Sequence, residues 1–261
     1  MWINPNSFTS KTHGLGQDPA ALKEKLRQEI NRLESNGRTL EKTITSSGCA
    51  ALDAALPWRG LPLGGLHVIQ GKPGDGAVFG FAGVLAGRLR AKPQADPGSV
   101  VWIQYGRDPQ DSGVPYGPGL EPMGLSPRRL LLIEARRALD LLWSMEEALR
   151  CPDLAVVIGE GVTPTLTAAR RLQLAAETGG TTALLISPAD KIPNATALTC
   201  WRIASVPAAA DARPPHHPTW NVELVRCRGG KPGQWRMEWQ HETLHIDLAA
   251  PLVHGPMAAA G

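Results

Sequence analysis

The 261-residue sequence predicts an α/β fold: a mostly parallel twisted sheet flanked by helices, with C-terminal antiparallel strands joined by a hairpin and a helix ahead of the core. Three observations predict it. From residue 43 to residue 187, short apolar runs alternate with segments of helical period, the order that builds parallel strands with helical crossovers. Beyond Thr199 the alternation stops, and strand-like runs follow one another directly. Ahead of both, residues 19–35 carry Ala21, Leu22, Leu26, Ile30 and Leu33 at helical spacing among charges, which is the pattern of an amphipathic helix.

Taken in order, residues 1–18 are polar and rich in Asn, Ser, Gly and Pro, a loose arm, and Gly37 stops the helix that follows. A strand is expected over 66–70, ending at a glycine-rich loop. The helix expected over 77–90 turns Ala82, Leu85 and Leu89 inward and Arg88 and Arg90 outward. A strand over 100–104 leads into a long Pro/Gly-rich loop, 108–127, with room for one short helical turn. After a strand over 130–133 comes the strongest helical pattern, 135–150. Ala138, Leu142, Met145 and Leu149 form its stripe, Arg136, Arg137, Asp140 and Glu147 lie largely off it, and Trp143 is read as core. A strand over 154–158, a helix over 166–177 closed by Gly179-Gly180, and a strand over 183–187 complete the alternating part. Strands over 200–206, 220–227 and 234–240 follow, the last two joined by the Arg228-to-Gly233 hairpin loop. Trp235, Met237 and Trp239 alternate with polar residues, so this last strand has one buried face. Residues 207–219 read as a Pro/Ala/His loop. The expected organisation is an arm and amphipathic helix over 1–42, a core over 43–248 and a disordered tail over 249–261.

Composition narrows the class. With 43% hydrophobic and 20% charged residues, the chain reads as a globular protein. No apolar run approaches the roughly 20 residues of a membrane span. Met1-Trp2-Ile3-Asn4-Pro5 does not begin a basic-then-apolar secretory leader, so the expected location is the cytoplasm, with no membrane partner. Cys49, Cys151, Cys200 and Cys227 form no CxxC pair and read as reduced thiols rather than a disulfide framework or a zinc site. A net charge of +3 permits contact with nucleic acid without requiring it.

The most informative segment is Gly71-Lys72-Pro73-Gly74-Asp75-Gly76-Ala77-Val78, between an apolar strand and a helix. This is the setting of a phosphate-binding loop, GxxxxGK[ST], and Gly71 and Gly76 have its spacing. The lysine position holds Ala77 and the hydroxyl position holds Val78. Neither can reach a β/γ-phosphate or hold Mg²⁺. Asp75 would repel phosphate, so the loop is expected to remain as a tight turn, with no cofactor and no metal. A second motif, His241-Glu242-Thr243-Leu244-His245, fits the zinc-protease pattern HExxH. That pattern needs a helix to bring both rings to one metal; here it follows a strand, and a polar bend is expected.

Several segments together resemble a known family. Ser47-Gly48, Leu52-Asp53, Gly60-Leu61-Pro62-Leu63-Gly64 and the strand into Gly71 resemble the opening of the RecA core. Arg136-Arg137-Ala138, the run from Leu142 to Arg150, the run from Arg170 to Glu177 and the run from Val222 to Gly230 resemble ImuA, the RecA-like accessory protein of the bacterial mutasome. The resemblance spans roughly residues 45–246. It implies a RecA-like core and a role in DNA-damage-induced (SOS) error-prone translesion synthesis. The implied partners are ImuB, a clamp-binding relative of Y-family polymerases, and RecA, with an error-prone second replicative-type polymerase reached indirectly. The implied location is cytoplasmic, at the nucleoid when acting.

In the RecA pattern the strand after the loop helix leads to a catalytic Glu, and here Gln104-Tyr105 stand instead. The next strand should end in a metal-holding Asp, but Glu160 comes one or two positions late. A strand that ends in a nucleotide-sensing Gln in RecA ends here at Ser187. Joint loss of these parts leads us to expect an adaptor without catalytic residues. The alternatives are a SulA-type cell-division inhibitor that binds FtsZ, and a RecA-like DNA-dependent ATPase. Candidate partner or DNA contacts are Leu22, Leu26, Ile30 and Leu33 on the N-terminal helix, together with Arg136, Arg137, Arg170, Arg171, Arg226, Arg228 and Lys231. Arg128-Arg129, just before a strand, is of the same kind.

Overall fold

The computed structural model describes residues 43–90, 98–105, 115–188, 196–206, 217–240 and 245–248. A small antiparallel ribbon, β1 (Ile44–Thr45) with β2 (Leu61–Pro62), brackets helix α1 (Ala50–Ala55). The alternating part then runs β3 (Leu66–Gly71), α2 (Gly76–Arg90), β4 (Ser99–Tyr105), α3 (Gly117–Leu120), β5 (Leu130–Ala135), α4 (Ala138–Leu149), β6 (Leu154–Glu160), α5 (Leu166–Gly179) and β7 (Thr182–Pro188). Four strands close the order: β8 (Thr199–Val206), β9 (Thr219–Cys227), β10 (Gly233–Gln240) and β11 (His245–Leu248).

The main sheet has nine strands in the order β11-β10-β9-β8-β3-β7-β6-β4-β5. Pairing is parallel from β8 to β5 and antiparallel from β8 to β11, as the change of pattern beyond Thr199 predicts. The central strands β3, β6 and β7 are buried on both faces, which is why they read as continuous apolar runs. Ile69, Trp102, Ile158 and Leu184 face one core with Phe81 and Leu85 of α2. Val68, Val101, Val157 and Leu185 face the other, with Leu141 and Met145 of α4 and Leu172 of α5. Phe81 also meets Trp201 and Trp220, with ring centroids 5.9 and 6.1 Å apart. The start of α2 is therefore held against both the parallel and the antiparallel halves.

Buried polar groups pin the register of β3. His67 donates from Nε2 to the Pro62 carbonyl at 3.0 Å. A carbonyl only accepts, so Nε2 carries a proton, and Nδ1 faces the Thr199 hydroxyl at 2.7 Å. That same oxygen accepts from Trp201 Nε1 at 2.7 Å. α5 ends as the glycine pair predicts, with Gly180 at φ 72° and its N–H on the Ala176 carbonyl. No helix among the described residues is long and apolar enough to cross a membrane.

Four expectations need correction. The strand at 130–133 continues to Ala135, and Arg136-Arg137 form the turn before α4, Arg137 being its extended N-cap residue. On α4, Leu141 joins Met145 and Leu149 in the core and Ala138 and Leu142 are only half-buried, a rotation of the stripe toward the neighbouring residue. Trp143 is consequently 62% exposed instead of core. Arg90, expected outside, is buried; its guanidinium donates to the Gly98 carbonyl at 3.0 Å and the Gly124 carbonyl at 2.5 Å, closing the end of α2 against both loops.

The long loop contributes α3 and two single turns of 3₁₀ helix, 121–123 and 127–129. Of the HExxH motif, residues 241–244 lie outside the described residues. His245 opens β11 opposite Gln240, so it stands in a strand, not on a metalloprotease helix. The N-terminal helix with Leu22, Leu26, Ile30 and Leu33, the part of the Pro/Ala/His loop over 207–216 and the tail over 249–261 also lie outside the described residues.

Candidate functional site

In this fold the chemistry gathers at the carboxyl ends of the parallel strands, where β3 turns into α2. The connection is a tight turn. The Asp75 N–H donates to the Lys72 carbonyl at 3.1 Å, Pro73 holds the second position and Gly74 has φ 80°. Pro followed by a left-handed Gly is the signature of a type II turn, so Lys72-Pro73-Gly74-Asp75 is closed on itself rather than wrapped around a ligand.

Asp75 then occupies the start of α2. Its carboxylate accepts from the Ala77 N–H at 3.0 Å and the Ser205 N–H at 3.0 Å, and makes a short hydrogen bond with the Ser205 hydroxyl. Burial works to raise its pKa, but the Ser205 hydroxyl and N–H, the Ala77 N–H and the Lys72 charge together hold it below the usual 3.8. Backbone N–H groups at a helix N-terminus are the donors that a phosphate would use. Here an internal anion takes the one on Ala77 and, through Ser205, ties α2 to the end of β8.

The next two positions are closed by packing. Ala77 and Val78 are both buried. Val78 lies so close over Gly71 that a Cβ on that glycine would fall 1.9 Å from Val78 Cγ2. The hydroxyl position of a phosphate loop has thus become part of the apolar core.

Glu160 ends β6, in register with Gln104 of β4 and Ile186 of β7. It is buried, and its Oε2 accepts from Trp102 Nε1 at 3.0 Å and Gln104 Nε2 at 2.9 Å. The carboxylate that stands nearest the metal-holding position is therefore engaged by two donors of the neighbouring strand. A small cavity of about 150 Å³ remains among the turn, Val78, Tyr105, Glu160 and Ser187. That is below the roughly 300–1,000 Å³ of ordinary ligand pockets. A magnesium nucleotide, the group a RecA-like fold implies, does not fit these residues: Ala77 stands where the phosphate-binding lysine would be, Val78 where the magnesium-holding hydroxyl would be, and the Asp75 carboxylate takes the Ala77 N–H at the start of the helix.

Beside it lies a larger apolar cavity of about 600 Å³, lined among others by Phe79, Trp102, Trp220 and Trp239. Trp220 and Trp239 stack at 6.3 Å, and Gly80 gives Trp220 room on α2.

The arginine candidates do not converge on one patch. Arg136 is exposed, and Arg137 forks onto Asp140 at 2.9 and 2.7 Å. Arg170 is exposed on α5, while Arg171 reaches across to Glu146 of α4 at 2.6 Å. Arg226 and Arg228 donate at 2.8 Å to the carbonyls of Ala197 and Thr196, and so brace the start of β8. Lys231 is exposed at the hairpin. Sequence reasoning missed the Asp75–Ser205 and Glu160–Trp102 ties. They join residues 130 and 58 positions apart, and no local pattern announces such pairs.

Replacing Asp75 with alanine is expected to cost about 1 kcal/mol through the lost cap. Because the folded pKa is lowered, the carboxylate's contribution is complete above pH 3.8 and is lost as the pH falls through the depressed value. Urea melts of wild type and Asp75→Asn at pH 7 and pH 3 should differ at the first and converge toward the second; equal gaps at both would refute the tie.

No family model matches the chain. Two curated relatives, each a Protein ImuA from a strain of Caulobacter vibrioides, are 31% identical to it over 247 residues, covering 87% of this chain and 97% of the relative. With that likeness along nearly its whole length, and with an α/β sheet consistent with a RecA-like core, the chain belongs to the ImuA family.

Proposed function

We propose that the chain is a non-catalytic RecA-like adaptor in damage-induced, error-prone translesion DNA synthesis, working through protein contacts with an ImuB-type clamp-binding polymerase relative, with RecA, or with both. The observation that carries this reading is Asp75 at the start of α2: the fold keeps the strand, the turn and the helix of a phosphate loop and fills its anion site with its own carboxylate. Val78 packed over Gly71 and Glu160 held by Trp102 and Gln104 support it, because three parts of one machine are altered together. Family membership supports the mutagenesis setting.

The test is direct. Purified protein is expected to hydrolyse ATP no faster than a blank, with or without single-stranded DNA, and to give no saturable signal when titrated with a labelled ATP analogue and Mg²⁺. In parallel, immobilised protein should retain purified ImuB or RecA and fail to retain FtsZ. A robust hydrolysis rate abolished by changes within residues 71–78 would overturn the non-catalytic reading. Retention of FtsZ alone would move the chain to cell-division control.

A further inference from the structure

The sheet ends at β5, which pairs only with β4 among the described residues and leaves one edge of backbone donors and acceptors open. This edge is unusually apolar. Leu131 is 57% and Leu132 38% exposed, one on each face of the strand. Open edges invite a further strand, and proteins ordinarily blunt them. Here the apolar centre is bracketed by Arg128-Arg129 before the strand and Arg136-Arg137 after it, against Glu134 and Asp140. Arg137 is taken by Asp140. Arg128 and Arg136 are exposed and make no ion pair among the described residues.

The charges select the occupant. A second copy pairing edge to edge in antiparallel fashion, centred on the strand, would bring the Arg128-Arg129 turn of one copy near the Arg136-Arg137 turn of the other, at both ends. In parallel fashion each arginine would meet its own counterpart. Like charges brought together in this way are destabilising in either case. An extended segment with apolar residues at its centre and carboxylates toward its ends meets the same edge with Arg128 and Arg136 matched at its two ends. Its backbone supplies the ladder, and its side chains supply the choice.

We infer that the open edge of β5 is a docking strand for an acidic, extended segment of another protein, about six residues long to match the strand. The inference deepens the adaptor reading and rests on it for the need of a protein partner. ATP turnover would overturn that reading without touching peptide binding at β5, whereas peptides that ignore β5 would overturn this inference alone.

The experiment pans a displayed library of random 12-residue peptides against the full chain and measures the enriched peptides by fluorescence anisotropy. Enriched sequences are expected to hold apolar residues flanked by Asp or Glu. Their affinity should fall at least tenfold with Leu131→Lys or with the Arg128→Glu/Arg136→Glu pair, and weaken as salt rises. Both changes are at exposed side chains, and circular dichroism checks that each variant keeps its fold. Trp143→Ala, on α4, should leave binding unchanged. Failure to enrich any acidic–apolar peptide, or enriched peptides that bind all the variants equally, would overturn the proposal. So would a dimer in sedimentation that Leu131→Lys dissolves, because the edge would then belong to a second copy.

Discussion

Replacing Glu160 with alanine is expected to destabilise the fold by about 3 kcal/mol, because it strands two buried donors that each cost about 1–3 kcal/mol when left unpaired. Those donors are Trp102 Nε1 and Gln104 Nε2, both on the neighbouring strand β4. In a chain of this size that loss corresponds to a fall of about 6–12 °C in Tm. Glu160→Gln keeps an acceptor oxygen in place and is expected to retain most of the stability. The result decides what the carboxylate is for. A ligand that binds only the folded state raises its apparent stability in proportion to its occupancy. If Glu160 serves the fold alone, millimolar Mg²⁺ and a chelator leave the wild-type melt unchanged. A melt raised by Mg²⁺ in wild type but not in Glu160→Ala would restore a metal role and weaken the adaptor reading with it.

The second large effect contrasts two residues of one helix. Leu141→Ala should cost about 2–5 kcal/mol, the range for emptying a leucine's place in a packed core. Leu141 is fully buried against Met145, Val101 and Val157 in the second core. Trp143→Ala removes a far larger side chain and should change stability by no more than about 0.5 kcal/mol, as exposed sites do. Urea denaturation of both variants checks this, and a Trp143→Ala loss comparable with that of Leu141→Ala would place the indole in the core after all. Glu146, one turn from Leu142, is 8% exposed and sits between Arg150 and Arg171, each at 2.6 Å, while Leu139, Leu142, Ala168 and Leu172 give the groove beside Trp143 an apolar lining.

Much of the fold was legible because its signals are local and repeated. The apolar run into Gly71, the helix period of 77–90, the Gly179-Gly180 stop and the alternation of Trp235, Met237 and Trp239 each follow from spacing within a few residues. Their order alone predicts a parallel sheet that turns antiparallel beyond Thr199. Failures occurred where a choice rests on what lies opposite. The periodicity of 135–150 is satisfied by either Leu141 or Leu142 facing inward, and only the sheet beneath α4 selects Leu141. An arginine at the end of a helix ordinarily reads as solvated, and Arg90 is buried only because two carbonyls from separate loops reach it. Arg226 and Arg228 read as surface cations for the same reason, and both brace backbone instead.

The altered phosphate loop divides along this line. The absence of its lysine and hydroxyl is a property of the sequence: the side chains of Ala77 and Val78 carry no group that can bind phosphate or a metal in any fold. What took their place is a property of the tertiary structure. Asp75 became an internal anion because β8 brings Ser205 across 130 residues to meet it, and Val78 became core because β3 offers the bare backbone of Gly71 beneath it. Side-chain chemistry is local, so the sequence alone decides which side-chain groups a site lacks. Hydrogen bonds and packing need two partners, and chain topology decides which partners meet.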